Sequence, residues 1–298
     1  MRHRDAFSAC HPAVIFFFFV LVLGGSMVLM HPVCLVISLA CAAAYYVRLQ
    51  GRKAWRFFLR AVLPVMLLAS LLNPTFSHGG DTVLGTLPGG SPLTLESLLY
   101  GLAAGAMLGA VLLWFACYGE VMTSDKFLYL FGRIIPSLAL VLCMTLRFIP
   151  QFRQQLETVR EAQAALGRDT ASGPLRQRLK NAITCFSVLI SRSMEGAVIT
   201  ADSMKARGYG TRRRTAFSLY RLQKRDILLV VLLAAGGAAL LAGGLTGQLN
   251  WQYYPALHGA LHGRGTLLTE GVYLALCLTP IILDETEDRR WKASVSSI

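Results

Sequence analysis

In the stretch SMKARGYGTRRRT, a basic residue sits between two small ones as Ala206-Arg207-Gly208, and three arginines, Arg212, Arg213 and Arg214, follow. Two chemistries suit that pattern. A glycine just past a helix adopts the left-handed conformation, and a cation in the last turn complements the helix dipole, so Arg207 and Gly208 fit a C-cap. Alternatively, the helix end presents the fork of five guanidinium donors to a carboxylate in a partner's groove, with Ala206 permitting close approach. Asp202, one turn earlier, reads as a solvated helix charge whose sign could steer such a contact. His258 and His262 have the i, i+4 spacing of a helical metal pair, but each precedes a glycine and reads as loop chemistry. His78, beside Gly79, Gly80 and Asp81, reads as a turn. No G-x-x-x-x-G-K-[ST], G-x-S-x-G or H-E-x-x-H occurs, so the chain has no phosphate-cradling P-loop and no signature of those hydrolases.

The elements that must position these residues are greasy. Of 298 residues 54% are hydrophobic and 15% charged, and the mean hydropathy is +0.52; these values describe a membrane protein. A span needs about 20 apolar residues, and candidates lie near 13–30, 32–47, 56–72, 97–117, 226–247 and 267–283. With the turns placed between them, 28 of the 29 Lys and Arg fall on one side and only Arg264 on the other. Without the long stretch 119–226 the short segments still give ten against one, which places both termini in the cytoplasm. The net charge of +13 is therefore a topology signal, and nucleic acid is not an expected partner. The amino terminus has a basic start and an apolar run but no A-x-A-like site after it, and reads as an uncleaved span. Seven cysteines without C-x-x-C spacing act as small hydrophobes, and neither disulfides nor a metal site is indicated.

Between the fourth and fifth spans the pattern changes. Phe148, Phe152, Leu156, Val159 and Leu166 form a helical stripe among charges. After GRDTASGP a second stripe runs through Leu175, Leu179, Ile183, Phe186, Ile190, Met194, Ala197, Ala201 and Met204 and stops at Gly208. The apolar run 127–150 carries Arg133 and Arg147 and reads as lying at, or re-entering, the inner face of the membrane. The division is thus 1–126 with four spans, 127–226 as an amphipathic cytoplasmic or interfacial region, and 227–298 with two spans and a tail. The loops 73–94 and 247–265 fall outside. Span interiors contain almost no acids or bases, with Arg60 near an inner end and Glu96 and Glu270 near outer ends, so a stand-alone ion-driven carrier is unsupported.

SMKARGYGTRRRT resembles the Ala-Arg-Gly signature of the transmembrane T component (EcfT/CbiQ-like) of energy-coupling factor transporters, importers of the ATP-binding cassette class. TLRFIPQFRQQLETVREAQAALG is similar to the segment leading to that family's first signature. NPTFSH resembles its Asn-Pro motif, and EVMTSDKFLYLFGRIIPSLALVL also fits, so the likeness covers roughly residues 70–215. It implies an all-α membrane scaffold whose two coupling helices each seat in an ATPase groove. Ala206, Arg207 and Gly208 match the second signature; at the first, Ala165, Leu166 and Gly167 replace Ala-Arg-Gly, with Arg168 just past the glycine. The implied partners are two ATPase subunits, which hold ATP and Mg, a substrate-binding S component and the lipid of a bacterial or archaeal cell membrane. No cofactor is expected on this chain, which is read as non-catalytic. Phe186, Leu189, Ile190 and Met194 are the expected S-component contacts. Uptake of a vitamin or other micronutrient, a dedicated cobalt or nickel importer, and a membrane enzyme or stand-alone carrier are the alternatives carried forward.

Overall fold

The computed structural model describes residues 6–76, 80, 82–86, 92–132, 135–209, 220–254, 258 and 263–296. Ser77, His78, Gly79, Asp81, Arg133, Arg212, Arg213, Arg214 and His262 lie outside the described residues. In chain order the elements are α1 (Pro12–Val28), α2 (Pro32–Gln50), α3 (Arg52–Phe57), a π-helical turn (Phe58–Val62), α4 (Leu63–Phe76), β1 (Val83–Thr86), β2 (Pro92–Thr94), α5 (Leu95–Val121), α6 (Ser124–Gly132), α7 (Pro136–Ala165), α8 (Leu175–Ala206), α9 (Lys224–Leu245) and α10 (Arg264–Ser296). The fold is all-α apart from the short antiparallel hairpin β1-β2, which hydropathy had shown only as a loop. Proline opens α1, α2 and α7, where its missing N–H costs nothing. The apolar run 127–150 is divided between α6 and α7.

Among the described residues, six helical stretches are long and apolar enough to cross a membrane: α2, Arg52–Phe76, α5, α8, α9 and Arg264–Arg289. Five coincide with expected spans. The first expected span forms α1, which has 17 residues and is shorter than the others. α8 qualifies because its apolar middle, 183–200, holds only Arg192 and Glu195 as charges.

The chain divides into two compact units, one formed by 1–126 with 220–298 and the other by 127–219. In the first, α5 packs against α1, α2 and α4, and α10 against α2 and α9. Two of the four consecutive phenylalanines, Phe18 and Phe19, point inward with Phe7, Tyr45 and Trp114. Their ring centroids lie 5.1 Å (Phe7–Phe18) to 6.5 Å (Tyr45–Trp114) apart, several edge to face. Buried polar groups meet on Ser26, whose hydroxyl lies 2.7 Å from Ser38 Oγ and 3.0 Å from Tyr273 OH, while Trp114 Nε1 donates to Ser38 at 3.0 Å.

Contacts place the helix ends of this unit at two poles. At one, the Phe7 amide donates to Asp284, Arg48 pairs with Glu285 at 2.6 Å, Arg225 pairs with Glu287, and Lys126 Nζ donates to Ser8 and Val121 carbonyls. At the other, Tyr253 OH donates to the Met30 carbonyl at 3.0 Å and packs on Tyr100. Phe7 and the Asp284–Glu287 turn of α10 therefore share a pole, and Lys126 and Asp226 lie at that same pole.

α4 and α5 meet along Gly101, Gly105 and Gly109, spaced four apart as in close helix pairs of membranes. A Cβ would fall 2.7 Å from the Ser70 carbonyl at Gly101 and 2.6 Å from the Met66 carbonyl at Gly105. Gly105→Val should therefore push two backbones apart and cost about 1–3 kcal/mol, read as a lower thermal unfolding midpoint in detergent. Gly119→Ala, with nothing within 4 Å, should leave it unchanged.

Candidate functional site

α7 and α8 end in the same backbone device. At α8 the Gly208 amide donates to the Lys205 carbonyl at 2.9 Å and the Tyr209 amide to the Met204 carbonyl at 3.1 Å. At α7 the Gly167 amide donates to Ala164 at 2.9 Å and the Arg168 amide to Gln163 at 2.9 Å. Both are Schellman motifs. Both glycines have φ +75, the left-handed region that a side chain disfavours. Ala-Arg-Gly and Ala-Leu-Gly thus fold alike: Arg207 and Leu166 occupy the same cap position, and Tyr209 and Arg168 the same position beyond the glycine.

The two termini are far apart. At 1.5 Å per residue, the 32-residue α8 separates its Arg207 end from its Leu175 end by about 48 Å. Leu166 lies at the latter end, where Asn181 Nδ2 donates to the Asp169 carbonyl at 2.8 Å and Arg178 Nε to the Thr170 carbonyl at 3.1 Å. The connecting turn is held by Asp169, whose carboxylate accepts the Ala171 amide at 3.0 Å. That bond holds the Asp169 carboxyl below the usual aspartate range, with Ser172 and the Arg160 charge acting in the same direction. The structure therefore forms two separate presentation points instead of one cluster.

Ala165, Leu166, Gly167, Arg168, Ala206, Arg207 and Gly208 are all exposed, and so is Asp202. Leu166 is 71% exposed, unusual for a leucine. The surface joining α7 to α8 is small, with Val159, Asn181 and Cys185 buried near the turn. The long apolar stripe of α8 does not make that junction: Leu175, Leu179, Ile183, Phe186, Ile190 and Met194 stay exposed, Phe186 at 60% and Met194 at 68%. Leu189 is half-buried.

A family model for CbiQ, cobalt transport protein, matches residues 8–217. The chain belongs to this family. It is also similar to proteins called energy-coupling factor transporter transmembrane protein EcfT. The one from Listeria innocua is 31% identical over 214 residues, covering 66% of this chain and 79% of that protein. The Bacillus selenitireducens protein is 26% identical over 72% of this chain and 84% of its own length. That of Streptococcus equi is 28% identical over 59% and 70%. The chain is an EcfT/CbiQ-like T component and a multi-pass membrane protein.

In this T component the structure also assembles a group that sequence reading missed. His31, Cys34 and Glu270 are buried with one ligand atom from each within 4.8 Å of the others. His31 and Cys34 are one helical turn apart, a signal open to inspection, but Glu270 comes from α10 and had read as an isolated acid near a span end. His258 lies in an extended bridge with Gln252 and not on a helix. None of the seven cysteines is in a disulfide, and Cys143 is the exposed one.

If the glycines are needed for φ, Gly208→Ala and Gly167→Ala should each destabilise one helix end by about 1–2 kcal/mol. Hydrogen exchange followed by mass spectrometry should then report faster exchange around Tyr209 or Arg168, with α9 and α10 unaffected.

Proposed function

We propose that this chain is the membrane-embedded coupling subunit of an energy-coupling factor importer. In this role it carries the ATP-driven movement of two ATPase subunits to a substrate-binding S component. The observation that carries the reading is the pair of exposed Schellman ends, about 48 Å apart along α8, joined by an apolar stripe that the helix pair leaves uncovered. Two separated, similarly built tips suit two similar partner subunits. The relatives' printed name, energy-coupling factor transporter transmembrane protein, supports the same assignment.

Arg207 would enter one ATPase groove as a forked donor to a carboxylate, and Leu166 would enter the other as an apolar knob beside Arg168. The stripe through Phe186, Ile190 and Met194, flanked by Leu189, would take the S component. The chain itself would be non-catalytic, with ATP and Mg held by the ATPases.

The basic residues of the short segments support a cytoplasmic side for both termini and for 127–219. A second reading, a dedicated cobalt importer, draws on the family description alone.

Tagged chain purified in mild detergent after co-expression with the ATPases of its own genome should retain them. Charge reversal in Arg207→Glu should reduce retention about thirtyfold or more, the range for breaking a paired interfacial charge, with unchanged helicity. Equal retention by a folded mutant would reduce the signature to a helix cap. In a separate arm, Ile190→Glu should weaken S-component capture more than ATPase binding, and sequencing the captured S component identifies the substrate class. Equal loss of both partners would mark misfolding.

A further inference from the structure

The buried group of His31, Cys34 and Glu270 lies outside α7 and α8 and is not used by the coupling reading. His31 precedes α2 as its N-cap, Cys34 follows one turn in, and Glu270 reaches them from α10, which packs along α2. The imidazole is 1% exposed and the carboxylate 8%. His31 Nδ1 and Glu270 Oε1 are 3.1 Å apart, but neither atom makes a hydrogen bond, and His31 Nε2 has no partner either. Buried polar atoms left so are costly. A protonated imidazole paired with the carboxylate would account for Nδ1 and Oε1 only. It leaves Nε2 and the adjacent thiol without a role.

A metal ion accounts for the convergence of all three groups. Two atoms about 2.0–2.1 Å from one tetrahedral ion sit about 3.3 Å from each other, close to the 3.1 Å separation observed here. Nitrogen, sulfur and oxygen donors together suit a borderline ion such as zinc or cobalt, whereas calcium and magnesium take oxygen alone. The surroundings restrict water: the Trp251 ring meets the His31 ring edge-on at 5.6 Å, and Tyr253 ties its loop to Met30. We propose that His31, Cys34 and Glu270 bind one divalent transition-metal ion of the zinc or cobalt class. Binding makes the Cys34 thiol a thiolate, its proton leaving to solvent, and three protein ligands leave one coordination position open.

The test uses the full-length chain in detergent, stripped with chelator and titrated with Co2+ by absorbance. The wild type should take up one equivalent and develop the thiolate-to-cobalt charge-transfer band. Cys34→Ser should abolish the band at unchanged helicity, and His31→Gln and Glu270→Gln should each weaken binding by at least about tenfold. Cys143→Ser, which removes the exposed thiol, should change nothing. No band in the folded wild type, or a band that survives Cys34→Ser, overturns the proposal. So does cobalt affinity unaltered in both His31→Gln and Glu270→Gln. Should the variants fail to fold, the wild type decides alone: Zn2+ must raise its thermal midpoint in a concentration-dependent way, and no rise overturns the site.

Discussion

The last carbonyls of any helix have no partner within it, and this constraint shapes the exposed ends of α7 and α8. α7 and α8 resolve it identically, turning the chain back through a left-handed glycine so that two following amides cap two carbonyls. A residue held between the last helical turn and that glycine is thrust outward, its amide bonded back into the helix. Arg207 and Leu166 are presented by this geometry, whatever their side chains. The backbone makes two equivalent tips; chemistry differentiates them, one cationic and one apolar with a cation just beyond.

The first unit is built differently. Along α5 the glycines bring backbone against backbone, while edge-on aromatic rings fill the space between α1, α2 and α5. Ser26, Ser38, Trp114 and Tyr273 satisfy one another, so few polar atoms in this region are left over. Buried polar atoms without a hydrogen bond lie elsewhere in the unit, on His31 and Glu270 and also on Glu96, Arg225, Trp251 and Tyr254.

Local features were legible in the residues. The end of α8 at Gly208 and the break after Leu166 follow from glycine and a periodic stripe, and the greasy helices follow from hydropathy. What could not be read are relations between distant positions. Nothing near Glu270 says that it faces His31, because α2 and α10 meet only after the bundle forms. Nor does the stripe Leu175 to Met204 announce whether it packs on α7. Its partner face is taken instead by Asn181 and Cys185, polar and small residues that a hydrophobic pattern overlooks. The π-helical turn at Phe58–Val62 and the β1-β2 hairpin have no hydropathy signature at all.

α10 is 33 residues long, about 50 Å of helix against about 30 Å of hydrocarbon, so its final turns stand clear of any bilayer. Those turns carry Asp284, Glu285, Glu287 and Asp288, an acidic group in a basic chain. Glu285 takes Arg48 and Glu287 takes Arg225. On the proposed orientation these arginines have two successive duties. As the chain is threaded into the bilayer they are retention signals, read by the insertion machinery with little regard for acids elsewhere. Once α10 arrives, the same charges find its acids and join it to α2 and α9, so one set of arginines serves first insertion and then packing.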